Sequence, residues 1–116
     1  MKLPNVEKAF VTEDKIKDYL LSETHPDGRA KAAFFTNFGF SAEQGEILVE
    51  ALLGHAHSHE VASASTTSHG IKFVVESELI TPDGRNPKIR TVWIIEVGKT
   101  AARLITAYPL ESKPHD

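Results

Sequence analysis

The sequence predicts an α+β fold in which about three N-terminal helices pack on one face of a C-terminal four-stranded antiparallel meander. Two patterns and their order predict it. Residues 13–22, 28–38 and 42–55 carry apolar side chains at spacings of three and four, the repeat of a helix that buries one stripe. From Glu60 onward the chain turns to runs suited to strands, at 60–67, 71–80, 88–97 and 102–108. The helical segments all precede the strands, which is the order of an α+β chain rather than of an alternating α/β one. A single domain over 1–116 is expected, since a chain of 116 residues buries roughly two thirds of its unfolded surface.

Residues 1–10 read as an extended lead-in, with Pro4 holding Leu3 away from helix. Thr12 then stands as an N-cap, Glu13 and Asp14 occupy the first turn where the helix dipole favours anions, and Val11 and Ile16 form a hydrophobic staple. Ile16, Tyr19 and Leu20 share the buried stripe of this helix, which ends near Ser22. A Pro26-Asp27-Gly28 turn leads into the second helix, where Ala30, Phe34, Phe35 and Phe38 make one apolar face and Gly39 takes the C-cap position. Ser41 and Gln44 form a capping box for the third helix, with Ile47, Leu48, Ala51 and Leu52 as its stripe.

The strands follow. Residues 60–67, the turn Ser68-His69-Gly70 and the run IKFVVESELI read as a hairpin, and the polar PDGRNP segment connects it to the last two strands. Those two, KIRTVWIIEV and ARLITAYPL, are joined by Gly98-Lys99-Thr100. A connecting loop of two or four residues would set Thr91, Trp93, Thr106 and Tyr108 on one face and leave Arg90, Val92 and Ile94 facing the helices. A three-residue loop would slip the register by one and break up that grouping. The polar tail after Pro109 is expected to fray.

Composition limits the function. The chain has no cysteine, which excludes disulfides and cysteine-based zinc sites and fits a reducing cytoplasm. Its opening holds no apolar run of signal-peptide length, and no segment approaches the roughly 20 apolar residues of a membrane span, so a cytoplasmic protein without a membrane partner is expected. A formal charge of −3 argues against a generic nucleic-acid coat. Local positive potential remains open, because Arg29, Lys31, Arg85, Lys88, Arg90 and Arg103 lie near the motifs described next. His25, Arg29 and Lys31 cluster at a helix N-terminus, the first place where a phosphate would be expected. His55, His57 and His59 read either as a metal site or as a solvated helix end with histidines near its negative pole.

The motifs KLPN, HPDGRAKAAFF, RTVWIIE and RLITAYP, spread over nearly the whole chain, resemble those of an uncharacterised family of small bacterial proteins common in cyanobacteria. More distantly, helices followed by a four-stranded antiparallel sheet and a closing T-A-Y-P run resemble the barnase, EndoU, colicin and RelE group of ribonucleases. That resemblance implies metal-free RNA cleavage, often by a toxin paired with an antidote protein. It calls for no cofactor.

The residues present can be matched to that chemistry. Transesterification needs a base for the 2′-OH proton, an acid for the leaving 5′-oxygen, and donors for the charge on phosphorus. The expected catalytic set is His25 as base or acid, Lys31 and Arg90 on the phosphate, and Thr106 and Tyr108 as donors. Arg29, Thr91 and Trp93 are expected to contact the RNA, Trp93 by stacking on a base. Each has a structural alternative: His25 can cap its own turn, the Lys31 stem can cover Phe35, and Trp93 can sit in the core. Arg103 and Glu96 read as a cross-strand ion pair outside the site. A second function is also compatible: a non-enzymatic module that binds a partner through the exposed sheet face or an edge strand such as 60–67.

Overall fold

The computed structural model describes residues 1–110, so the polar tail beyond them lies outside the described residues. A 3-10 turn over Val6–Lys8 interrupts the lead-in expected to be extended, and three longer helical elements then precede a four-stranded antiparallel sheet with strand order β1-β2-β3-β4. The first, α1, is an α-helical turn over Glu13–Lys15 that continues as a π-helical turn over Ile16–Leu20. Thr12 stands at its N-cap in extended backbone, although its side chain makes no cap hydrogen bond. The wide turn is closed by the Leu21 amide, which donates to the Ile16 carbonyl at 2.8 Å. One extra residue per turn rotates the stripe, so Ile16, Leu20 and Leu21 enter the core. Tyr19, expected in the buried stripe, is thereby left half-buried at its margin.

Helix α2 spans Arg29–Asn37, and Gly39 follows it with φ +101°, the left-handed conformation in which glycine carries no Cβ penalty. Helix α3 spans Gly45–Ser58 after a 3-10 turn over Ala42–Gln44, where the Ser41 hydroxyl accepts the Glu43 amide. The strands are β1 Val61–Thr67, β2 Gly70–Glu78, β3 Lys88–Glu96 and β4 Arg103–Pro109. The lead-in runs beside the start of β4: the Phe10 amide donates to the Ala102 carbonyl and the Leu104 amide to that of Phe10.

The sheet face that meets the helices is the opposite of the one expected from the last hairpin. Ile89, Thr91 and Trp93 are fully buried, and across from them stand Val75 and Phe73 on β2 and Ala107 and Leu104 on β4. Each large apolar side chain taken fully out of water contributes about 1.5–3 kcal/mol, and the face that carries Ile89 and Trp93 is the one that turns inward. The register also slips. Trp93 pairs with Leu104 but Val92 pairs with Thr106, so Ile105 is an extra residue on β4. This bulge turns the rest of β4 over. Thr106 and Tyr108 consequently share the outer face with Val92 and Arg90 rather than with Thr91 and Trp93.

Candidate active site at the β4 edge

The site is assembled by the turn before α2. The Ser22 hydroxyl accepts the amides of Thr24 and His25, and the His25 Nδ1 accepts the amides of Asp27 at 2.9 Å and Gly28 at 3.0 Å. Two converging N–H donors leave no room for a proton on Nδ1, so the hydrogen-bond network assigns the ring proton to Nε2. The turn is pressed onto α1. A Cβ on Gly28 would lie 2.1 Å from the Tyr19 carbonyl oxygen, so only glycine permits this approach. His25 meets the Tyr19 ring edge-on, with ring centroids 5.0 Å apart.

Tyr19 is the hub. Its phenol oxygen lies 3.3 Å from the Thr106 hydroxyl on β4. The Lys31 ammonium from α2 stands 5.2 Å from the ring centroid and that of Lys15 4.8 Å from it. Partial burial pushes the phenol pKa up, but the hydrogen bond with Thr106 and the positive charge of Lys31 and Lys15 outweigh it and hold the group below its usual value. The phenolate is thus stabilised relative to that of a free tyrosine.

The Tyr19 cluster continues along β4. Ala30, Lys31, Tyr108 and Pro109 line an open hollow of about 450 Å³. On the outer sheet face Arg90 pairs with Tyr108 across the strands, and its guanidinium donates to the phenol oxygen at 3.2 Å while forming a salt bridge with Glu76. His25, Lys31, Thr106, Tyr108 and Arg90 are therefore connected through direct contacts or a shared hollow, with Tyr19 between the turn and the strand. Arg29 is exposed on the first turn of α2, and Lys31 also donates to the Asp27 carbonyl. Arg103 pairs with Glu96 as expected, although in the observed register it stands opposite Ile94 and reaches Glu96 on the diagonal.

Two expectations are corrected by burial. Trp93 and Thr91 are sealed in the core, so neither can touch RNA. Instead the Trp93 indole N–H donates to the Thr91 hydroxyl at 2.9 Å, Thr91 lies 3.2 Å from the His55 Nδ1, and the His55 Nε2 lies 3.2 Å from the Ser77 carbonyl. Since the indole only donates and the carbonyl only accepts, the protons run in one direction through all three side chains. Both ring nitrogens of His55 are occupied, and its burial lowers its pKa to about 4. The histidine metal reading fails on the same ground. His55 points into the core, His57 is exposed, the His59 Nδ1 lies 2.9 Å from the His55 carbonyl, and no group of three metal-ligating side chains occurs among the described residues.

A larger hollow of about 600 Å³ lies between α3 and the end of β2, lined by residues that include Ile47, Glu50, Gly54, Glu78 and Ile80. It has no Lys or Arg in its lining and two carboxylates, which makes it a poor place for a phosphate. Sequence reasoning missed Tyr19 because a phenol at the right helical spacing reads as core. The only signal was its nearness to Lys15 and to the HPDG turn.

The described residues thus define a single-sheet α+β protein with a hydroxyl- and cation-bearing cluster at the β4 edge. The chain belongs to the family described as a domain of unknown function (DUF6883), whose model matches residues 2–111. No curated protein matches the sequence. Among solved structures, a chain of the contact-dependent growth inhibition toxin–immunity protein complex from Klebsiella pneumoniae 342 is similar, with a TM-score of 0.71 at 19% identity over 92% of this chain and 97% of that chain. At that identity the likeness is one of fold. No helix among the described residues is long and apolar enough to cross a membrane.

Proposed function

We propose that this chain is a toxin-type endoribonuclease that cleaves RNA without a metal, by attack of the ribose 2′-oxygen on the adjacent phosphorus. The observation that carries the reading is the meeting of the His25–Lys31 turn with Thr106 and Tyr108 of β4 around Tyr19. The Lys31 ammonium and the His25 Nε2–H supply donors for the phosphate oxygens. Tyr108 supplies a proton to the departing 5′-oxygen, and Arg90 stands against the phenol oxygen that donation would leave negative. The P–O5′ bond breaks as the P–O2′ bond forms, giving a 2′,3′-cyclic phosphate and a 5′-hydroxyl. The fold neighbour comes from a toxin–immunity protein complex, and a toxin held in check by an antidote protein fits that likeness.

The test is incubation of the purified chain with mixed RNAs in EDTA. Cleavage is expected, with Lys31→Ala and Tyr108→Phe each slowing it by about 100-fold or more. RNA left intact at high protein concentration refutes the reading.

One observation favours a second function, a partner-binding module. Strand β1 is an edge strand, exposed at five consecutive residues from Ala62 to Thr66, and its sequence VASASTT carries no charge. Such an edge presents backbone donors and acceptors to an incoming strand. Capture of one stoichiometric protein, abolished by a proline at Ala64 and accompanied by intact RNA, would favour this function over the nuclease.

A further inference from the structure

The proposed reaction requires a group that takes the 2′-OH proton, and histidine is the usual choice near neutral pH. His25 is not built for it. Its Nδ1 is the acceptor for two backbone amides, and its Nε2 already carries the proton. Its one acceptor nitrogen is therefore taken up by its own turn and is not free for an incoming hydroxyl. The turn is packed on Tyr19 at a glycine that tolerates no Cβ, so freeing that nitrogen would break its contact with α1.

Tyr19 has the opposite surroundings. Thr106 can turn its hydroxyl hydrogen toward the phenol oxygen, and Lys31 and Lys15 bring positive charge to the ring from α2 and from α1 itself. The residue lies on a π-helical turn, a feature that often marks functional sites, and remains accessible where its neighbours Ile16 and Leu20 are buried. We propose, resting on the nuclease reading above, that the Tyr19 phenolate is the general base and that His25 serves as a fixed Nε2–H donor to the phosphate. In the step, the phenolate oxygen takes the 2′-OH proton, the 2′-oxygen bonds to phosphorus, and the 5′-oxygen leaves with the proton of Tyr108. Tyr19 then returns its proton to solvent and Tyr108 regains one.

Two measurements test this. The chain has two tyrosines, so in Tyr108→Phe the near-ultraviolet phenolate absorbance reports Tyr19 alone. Its midpoint should lie below the roughly 10 of free tyrosine and rise in the double variant that also carries Lys31→Gln. A midpoint at or above that of free tyrosine overturns the proposal whether or not RNA is cut. In the cleavage assay the wild-type rate should keep climbing above pH 7.5, whereas a histidine base would level off above about 6.5. Tyr19→Phe should lose about 100-fold or more and lose the alkaline rise, while His25→Asn should be slower but keep it. Thr106→Val, which removes the donor and keeps the volume, should shift the rise to higher pH. Cleavage undiminished in Tyr19→Phe overturns this assignment and leaves the nuclease reading intact. Absence of cleavage by the wild type removes both.

Discussion

Acidification should unfold this protein in a window set by His55. The ring is 2% exposed, with Thr91 on one nitrogen and the Ser77 carbonyl on the other, and its pKa is lowered to about 4 from 6.5. Between those values the unfolded chain binds a proton that the folded chain does not, so stability rises with pH there and falls as pH drops. The contribution is fully present above 6.5 and is lost progressively toward 4. Integrating the two titrations gives a loss of about 2 kcal/mol between pH 7 and pH 5, and about 3 kcal/mol by pH 4. Glu13, Asp14, Asp83 and Glu96, whose pKa values are also lowered, lose their contributions as pH falls through and below the ordinary carboxylate range, largely under this window. Urea unfolding at a series of pH values from 4 to 7 measures the slope, and His55→Gln should flatten it between 5 and 6.5. A stability that is flat from pH 7 to 5, or a His55 ring signal that titrates near 6.5, refutes the buried neutral histidine.

Thr91→Val keeps the side-chain volume but strips the hydroxyl shared by Trp93 and His55, and should cost on the order of 2–4 kcal/mol in urea unfolding because two buried polar groups lose their partner. Gly28→Ala drives a methyl into the Tyr19 carbonyl and should destabilise by about 1–3 kcal/mol, while the His25 and Tyr19 ring resonances in NMR spectra shift together as their edge-on contact is lost. Gly54→Ala has the reverse sign: nothing lies within 4 Å of a Cβ there and the residue is inside α3, so thermal denaturation should show a gain of up to about 1 kcal/mol.

The helices and strands were legible because their signals are local. The alternation in β3, the capping serine at 41 and the glycine at 39 each act within a few residues, and the corresponding elements form. What was illegible depends on single-residue insertions. The bulge at Ile105 and the π-helical turn at Ile16–Leu20 each add one residue to a regular repeat, and in both cases the change moves a polar side chain from one surface to another. The first exchanged the faces of Thr106 and Tyr108 relative to Trp93; the second set Tyr19 at the edge of the core. Periodicity assumes an unbroken repeat, so it grouped Thr106 and Tyr108 with Trp93 and placed Tyr19 in the interior; that Trp93 faces the core is a separate matter of which sheet face turns inward, which alternation leaves undecided. His25, Lys31, Thr106, Tyr108 and Arg90, which the fold brings together at the β4 edge, were chosen by residue type alone, since imidazole, ammonium, hydroxyl and guanidinium groups are what phosphate chemistry requires.

The chemistry of the cut ends distinguishes attack by the ribose 2′-oxygen from any other route of cleavage. Mass spectrometry of an RNA oligonucleotide incubated with the protein in EDTA should find 2′,3′-cyclic phosphate and 5′-hydroxyl termini, and an oligonucleotide with 2′-deoxyribose at the cut position should stay whole. Termini bearing 3′-hydroxyl and 5′-phosphate, or cutting that ignores the missing 2′-hydroxyl, would contradict it.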